Sequence, residues 1–384
     1  MRSVVRSPPA GPEASAPTPT PPADSSCRPG EKSRATWVCR RAADDRTCRD
    51  EPGAAWPRSS CDVDRPGVNA LHPCPGPARA CVDLLRNVPG GLFVDLTVGA
   101  AGHAEAVLEA HSGLRLLGID RDRSALAAAA TRLDRFGDRV QLQHARSDEL
   151  GELLGRLPAP NVVAILADLG VSSPQLDRPE RGFSYRPELD GPLDMRMDPS
   201  TGPTAAEIVN DADVGELIRI LREYGDERYA RRIAQAVHAA RPVTTTAQLA
   251  ELVKEAIPAP ARRRGGHPAK RSFQAIRIAV NDELAILSRT LDHLVDGLAP
   301  GGRGVVISYQ SGEDRLVKAR FRLADDGGCS CPPGLPCACG AEPVARLLKR
   351  GAWTAPATEV SGNPRAESAR LRAIEKLTPR ELRR

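Results

Sequence analysis

Three aspartates each end a short apolar run of the chain, and together they could form one chemical site. They are Asp95, Asp120 and Asp168, and the runs are Gly91–Asp95, Leu114–Asp120 and Val162–Asp168. Runs of this kind are typical of parallel strands buried on both faces. In open α/β sheets the ligand binds beyond the carboxyl ends of the strands. We therefore expect the carboxylates to lie at a common ligand-binding edge.

A glycine-bearing turn follows the first strand and suits a nucleotide-like cofactor. In Gly99-Ala-Ala-Gly102 the backbone can approach a ligand, and the next helix offers free N–H groups. Asp120 follows about 20 residues later, where an acid can accept both ribose hydroxyls. The negative charge of Asp95 would repel a pyrophosphate, but it suits the positively charged methionine end of S-adenosylmethionine. An NAD-type site, or an α/β fold without a cofactor, is the alternative.

Asp168 begins a polar loop that could hold the reacting group of a substrate. The loop reads Asp168-Leu-Gly-Val-Ser-Ser-Pro-Gln175. A carboxylate on a rigid strand end beside a cofactor can accept a proton from an amine, so Asp168 is the candidate catalytic residue. The alternative is that Asp168 only caps a helix or anchors the loop.

The elements that must position these residues alternate between strand and helix. A further strand is predicted at Val140–His144, and helical patterns separate all four strands. This alternation predicts a doubly wound parallel sheet. The pattern then turns helical for over a hundred residues, ending in one long helix from Ile276 to Leu298, before a strand at Gly304–Tyr309 resumes the sheet. The fold class is α/β with an all-helical insertion.

The domain division follows from these shifts in pattern. Residues 1–68 are rich in Pro, Ala, Ser and Arg without an apolar period, and they are predicted to form a disordered N-terminal extension. Residues 69–177 and 272–384 then form a discontinuous catalytic domain. Residues 178–271 form the helical insertion, which we assign to substrate recognition.

Composition excludes several classes of protein. Hydrophobic residues make up 41% of the 384 residues, which excludes a wholly disordered chain. No apolar run approaches the roughly 18 residues of a membrane span, and no secretory signal is readable. A net charge of +5 permits a nucleic-acid partner without proving one. We expect a cytoplasmic protein with mostly reduced thiols and no membrane partner.

Four of the ten cysteines form a tight cluster near the C-terminus. They are Cys329, Cys331, Cys337 and Cys339, two Cys-x-Cys pairs within eleven residues. Four thiolates suit a structural zinc ion, although this spacing is tighter than that of the usual zinc finger. The alternative is a surface hairpin whose thiols are reduced or disulfide-linked.

Several long motifs follow one another in a single order. They are Asp168–Asp177, Arg181-Gly-Phe-Ser184, Gly191–Asp198, Tyr224-Gly-Asp-Glu-Arg228, Ala269–Glu283 and Ser311–Lys318. In these motifs the chain resembles the MraW-type cytosine-N4 methyltransferases of small-subunit ribosomal RNA, from about residue 70 to residue 376. The resemblance implies a class I, Rossmann-like, S-adenosylmethionine-dependent fold. It also implies methylation of the exocyclic N4 of a cytidine near the decoding centre.

The resemblance implies a set of cofactor-binding residues, carried over by position. They are Ala101, Gly102, His103, Asp120, Ser147, Asp168 and Gln175. It implies as partner the small-subunit rRNA, free or in an assembled subunit, and basic residues at Arg262-Arg-Arg264 and Lys270-Arg271 would then contact phosphates.

The chain departs from the family pattern at several of its positions. Leu96 and Ala101 replace glycines of the turn, Ser147 replaces an aromatic residue, Gln310 a histidine and Glu367 an arginine. A diverged paralogue that methylates another RNA, or a non-catalytic RNA-binding homologue, is therefore the alternative function.

Overall fold

One mixed sheet organises the part of the chain that the computed structural model describes, residues 77–262, 266–332 and 338–381. The strands are β1 Gly91–Asp95, β2 Leu114–Asp120, β3 Val140–His144, β4 Val162–Asp168, β5 Arg303–Ser308, β6 Ala345–Leu347, β7 Trp353–Thr354 and β8 Arg370–Lys376. Their order is β3-β2-β1-β4-β5-β8-β6, with β7 also paired to β8. Strands β1 to β5 are parallel, and β8 is antiparallel to its neighbours.

The parallel part of the sheet and its five predicted strands are confirmed, whereas the antiparallel C-terminal strands were not predicted. Strand β8 reads Arg-Leu-Arg-Ala-Ile-Glu-Lys. Its charged residues interrupt the apolar pattern, so its sequence resembles that of an exposed segment. Because β8 lies between β5 and β6, it brings the C-terminal part of the chain back into the sheet.

Helices cover both faces of the sheet. The helices are α1 Pro77–Leu85, α2 Gly102–Ala110, α3 Arg123–Leu133, α4 Leu150–Gly155, α5 Ser173–Asp177, α6 Ala205–Asp211, α7 Val214–Glu223, α8 Ala230–Ala239, α9 Thr246–Ala256, α10 Ala259–Arg262, α11 Lys270–Asn281, α12 Glu283–Gly297, α13 Ser311–Asp326 and α14 Ala357–Gly362. One face packs against α1, α2 and α3, and the other against α4, α12 and α13. Burial on both faces explains why the central strands are apolar throughout.

Helices α6 to α9 and α11, which lie between β4 and β5 in the chain, share an apolar cluster of their own. The cluster includes Leu221, Ile233 and Val253, and Phe183 is buried in it. Phe273 and Ile276 of α11 belong to this cluster as well, although they follow residue 271, where we placed the end of the insertion. The domain division stays a prediction, and residues 1–68 lie outside the described residues.

The single long helix predicted from Ile276 to Leu298 is wrong, because the chain bends between α11 and α12. Asp282 adopts a left-handed conformation with φ 51°, which ends α11 and starts α12. The Asn281 side chain accepts from the Met197 N–H at 2.8 Å and donates to the Met195 carbonyl at 2.8 Å. The apolar spacing runs unbroken through this bend and so conceals it.

Within the described ranges, every helix is too short or too polar to span a bilayer.

Candidate active site

The glycine turn after β1 keeps an unusual backbone shape even where glycine is replaced. Gly99 has φ 52° and Ala101 has φ 62°, and Ala101 is the residue that precedes α2. Left-handed conformations are costly for residues with a Cβ. The turn therefore retains the shape that a glycine would favour, with Gly102 and His103 opening the helix.

Asp120, at the end of β2, fixes this turn through both of its carboxylate oxygens. One oxygen accepts from the Gly99 N–H at 2.8 Å, and the other accepts from the Asp122 N–H at 2.8 Å. Burial raises the pKa of Asp120. Since each carboxylate oxygen has a second lone pair, Asp120 retains the capacity to accept from a ligand.

Asp95, at the end of β1, is 1% exposed. Its carboxylate accepts from the Thr97 N–H at 3.2 Å. Burial raises the pKa of Asp95 to about 7, against the opposing effect of the positive charge of His103. Asp95 is therefore an acid whose charge changes near neutral pH.

Asp168, at the end of β4, pairs with His103 of the glycine turn. His103 Nε2 and Asp168 Oδ2 lie 3.3 Å apart, and both side chains are about three-quarters buried. Burial lowers the pKa of His103, but the hydrogen bonds and charges of Asp168 and Cys81 together outweigh it, and the net pKa is well above the ordinary value. The other two polar atoms, His103 Nδ1 and Asp168 Oδ1, are buried and have no hydrogen-bond partner among the described residues.

Tyr309, directly after β5, lies beside Asp168 and was not among the predicted site residues. Burial and the Asp168 charge raise the pKa of its hydroxyl. Its ring faces Gly170, which has φ 104° and where an added Cβ would lie 3.9 Å from Tyr309 Cδ2. The signal was an aromatic residue at the end of the strand that pairs with β4.

Gln175 joins the Asp168 loop to the turn after β2. Its amide donates to Asp122 Oδ2 at 2.9 Å, and its Oε1 accepts from the Ser172 N–H at 3.0 Å. Arg181 donates to the same Asp122 oxygen at 2.7 Å. Burial opposes ionisation of Asp122, but hydrogen bonds from Ser124, Arg181 and Gln175 lower its pKa to about 2. Sequence reasoning missed Asp122 and Arg181 because neither ends a strand.

Ser147 follows β3 in a short 3₁₀ helix, Ser147–Glu149. Its hydroxyl hydrogen-bonds the Thr290 hydroxyl of α12 at 2.9 Å. The Ala145 N–H donates to the Asp120 carbonyl at 3.2 Å, so the segment that carries Ser147 begins beside Asp120.

The two departures from the family pattern near the C-terminus fall in different surroundings. The Gln310 amide donates to Glu313 at 2.8 Å, and its oxygen accepts from Gln274. Glu367 is exposed, whereas Arg365, two residues earlier, donates to Asp177 at 3.0 Å and to the Ser173 hydroxyl. The C-terminal segment is thereby joined to α5 in the Asp168 loop.

The predicted metal ligands are only partly described. Cys329, Cys331 and Cys339 come together in the loop after α13, whereas Cys337 lies outside the described residues.

The family model and the similar proteins that were found point to the same family. The model of the MraW methylase family matches residues 74–377. The protein named Ribosomal RNA small subunit methyltransferase H of Salinispora tropica is 55% identical over 293 residues, which are 75% of this chain and 78% of that protein. The protein of the same name from Mycobacterium tuberculosis is 48% identical over 353 residues, which are 86% of this chain and 88% of that protein. The protein of the same name from Heliobacterium modesticaldum is 46% identical over 313 residues, which are 80% of this chain and 99% of that protein.

The sheet order agrees with this family. Five parallel strands in the order β3-β2-β1-β4-β5, joined by an antiparallel strand between β5 and β6, form the class I, Rossmann-like methyltransferase fold. The predicted fold class is therefore confirmed. Since the family match covers residues 74–377 of the 384, the chain belongs to the MraW methylase family.

Proposed function

We propose that this chain transfers the methyl group of S-adenosylmethionine to the exocyclic N4 of a cytidine in small-subunit ribosomal RNA, near the decoding centre. The names of its relatives support the RNA substrate. The observation that carries the chemistry is the buried Asp168 Oδ1, which has no partner among the described residues at the ligand-binding edge of the sheet.

The residues at this edge fit the proposed cofactor. Asp95, Asp120 and Asp168 end three strands at this edge and offer carboxyl oxygens as acceptors to the ammonium and hydroxyl groups of the ligand, and the glycine turn leaves backbone close to the ligand position. The residues that would hold the cofactor are Ala101, Gly102, His103, Asp120, Ser147, Asp168 and Gln175. When bound, S-adenosylmethionine supplies an electrophilic methyl group on a sulfonium.

The chain's own contribution to the reaction is to accept a proton from a poor nucleophile. The lone pair of the cytosine N4 amine is delocalised into the ring. Asp168 Oδ1 would accept a hydrogen bond from this amine, which localises the lone pair on nitrogen, and would then accept the N4 proton as positive charge develops there.

His103 would position Asp168 for this role. Its raised pKa keeps His103 positively charged near neutral pH, so it pairs with Asp168 Oδ2 and leaves Oδ1 for the substrate. The alternative is that Asp168 binds the cofactor and that loop carbonyls, Ser172 or Ser173 polarise the amine, but the Ser173 hydroxyl already contacts Arg365. Asp168 is therefore the better candidate for the proton acceptor.

The target base must leave its stack to reach this edge. Phe183 is 5% exposed in the helical cluster, and Tyr185 stacks on His267 at 4.6 Å between ring centroids. Neither ring is well placed to receive a base. Tyr309 lies beside Asp168, and we assign it the role of packing against the flipped cytosine.

The experiment uses the purified full chain, labelled S-adenosylmethionine and small subunits from a strain that lacks the modification. Asp168→Asn should abolish or greatly lower cytidine N4 methylation, measured by mass spectrometry of the RNA, while binding of the subunit is largely kept. Asp134→Asn, at an exposed position, is the matched control.

Three results would contradict the proposal. Wild-type protein that binds the cofactor by calorimetry but modifies no cytosine N4 would exclude this substrate. Wild-type protein that binds the subunit but no cofactor would indicate the non-catalytic homologue. Full activity of the Asp168→Asn variant would exclude Asp168 as proton acceptor.

A further inference from the structure

Three thiols converge in the loop that connects α13 to β6. The sulfur atoms of Cys329, Cys331 and Cys339 all lie within 4.8 Å of one another, and Cys329 Sγ and Cys339 Sγ are 3.6 Å apart. Two thiolates on one tetrahedral zinc ion, with Zn–S bonds of about 2.3 Å, lie roughly 3.8 Å apart. The sulfur separations therefore match ligands of a shared ion, and 3.6 Å far exceeds the roughly 2.05 Å of a disulfide bond.

No apolar core holds these thiols together. None of the described residues between 325 and 344 is buried, although cysteine is among the residues most often found fully buried in proteins. Packing therefore does not explain why three cysteines meet here. Small segments without a core of their own commonly depend on a metal or a disulfide for order.

The base of the loop is held closed, so its two arms start side by side. Gly327 and Gly328 have φ of 62° and 74° after α13, and a Cβ on Gly327 would come within 2.5 Å of the Glu342 nitrogen. The Val344 N–H donates to the Ala324 carbonyl at 2.9 Å. This closure places both cysteine-bearing arms within reach of one ion.

A backbone donor already faces one of the sulfur atoms. The Ala338 N–H donates to Cys331 Sγ at 3.3 Å. The Cys331 sulfur therefore already acts as an acceptor toward the other arm of the loop. Thiolates, rather than thiols, are the ligands of zinc.

We propose that Cys329, Cys331 and Cys339 bind one Zn²⁺, which fixes the connection between α13 and β6. Three soft sulfur ligands favour Zn²⁺ over Mg²⁺ or Ca²⁺, which prefer oxygen. Binding displaces the thiol protons to the solvent as the Zn–S bonds form. We confine the site to these three ligands, because Cys337 lies outside the described residues. The proposal does not depend on the methyl-transfer function.

The test measures metal in the full chain, purified under reducing conditions without chelator. Elemental analysis should show zinc in the wild type and about one equivalent less in Cys331→Ser, whereas the neighbouring Ser330→Ala should match the wild type. This comparison separates the site from any zinc held by the cysteines of residues 1–74. After replacement by Co²⁺, the thiolate-to-cobalt absorption should be weaker in Cys331→Ser than in Ser330→Ala.

A second measurement reports on the loop itself and does not require a variant. Amide hydrogen exchange in peptides covering residues 327–343 should be slower in the zinc-loaded wild type than after chelation, with the sheet unchanged. Equal zinc content in Cys331→Ser and wild type would overturn the proposal. It would also be overturned by reduced wild type that takes up no added Zn²⁺, or by a Cys329–Cys339 disulfide in protein kept under reducing conditions.

Discussion

Asp95 places a carboxyl group in the core of the sheet, where its charge is unfavourable. Burial raises its pKa from 3.8 to about 7. Between about pH 4 and pH 7, therefore, the Asp95 carboxyl group keeps its proton in the folded chain but has lost it in the unfolded chain. The contribution of this group to stability is present at low pH and falls as pH rises through that window.

The variant Asp95→Asn should remove this pH dependence. One pKa unit corresponds to about 1.4 kcal/mol, so between pH 5 and pH 8 the unfolding free energy of the wild type should fall by roughly 2–3 kcal/mol relative to Asp95→Asn. Urea denaturation at both pH values measures the difference. Asp134→Asn, at an exposed site, should show no such change, and parallel pH profiles for wild type and Asp95→Asn would contradict the assignment.

Asp120 carries two duties, because it shapes the glycine turn and is the proposed acceptor for the ribose hydroxyls. Asp120→Ala should weaken binding of S-adenosylmethionine by about 2 kcal/mol, roughly 30-fold, as for loss of a charge-assisted hydrogen bond. Calorimetry measures the change, with Asp134→Ala as control. An unchanged dissociation constant would refute the role of Asp120.

The sequence predicted the acids of the site better than their partners. Asp95, Asp120 and Asp168 each end a buried strand, so the strand pattern alone places them at one edge of the sheet. The His103–Asp168 pair and the Asp122–Gln175 bond depend on side chains from separate loops. Such contacts have no periodic signal in a single sequence.

At the scale of elements, the bend between α11 and α12 joins the helical cluster to the sheet. Helix α11 packs into the helical cluster, and α12 packs on the sheet. The Asn281 side chain holds the bend to Met195 and Met197. Apolar periodicity correctly predicted helix on both sides of the bend, but it reports burial rather than backbone direction and could not locate Asp282.

Asn281→Ala should destabilise the protein, because Asn281 is 2% exposed and its loss leaves the Met197 N–H and the Met195 carbonyl buried without partners. We expect a loss of about 2–4 kcal/mol in the free energy of unfolding, from an unsatisfied donor and an unsatisfied acceptor. Asn161→Ala, at an exposed site, should change stability by less than about 0.5 kcal/mol. Equal midpoints for the two variants in urea would show that the Asn281 bonds contribute little.

At the scale of the whole molecule, the family match and the N-terminal sequence divide the chain at nearly the same place. The match begins at residue 74, and residues 1–68 show no apolar period. A chain that starts at Gly67 should therefore unfold at the same urea concentration and bind S-adenosylmethionine as tightly as the full chain. Loss of folding or of cofactor affinity on this truncation would show that the N-terminal segment contributes to the catalytic domain.

Charge at the scale of the whole molecule bears on the RNA substrate. Lys270 and Arg271 are exposed at the start of α11, and in the proposed function they contact phosphates. Each phosphate contact releases counterions, so affinity for the small subunit should fall as salt rises, and Lys270→Ala should reduce the slope of log affinity against log salt by about 1. Lys254→Ala is the matched control, because the Lys254 ammonium is paired with Glu251 at 2.8 Å. Binding measured over a range of salt concentrations decides between the two sites. A slope that Lys270→Ala and Lys254→Ala alter equally would place the RNA on a different surface.

The substrate should also be methylated better in an assembled or partly assembled subunit than as free RNA, because folded RNA is recognised mainly by its shape.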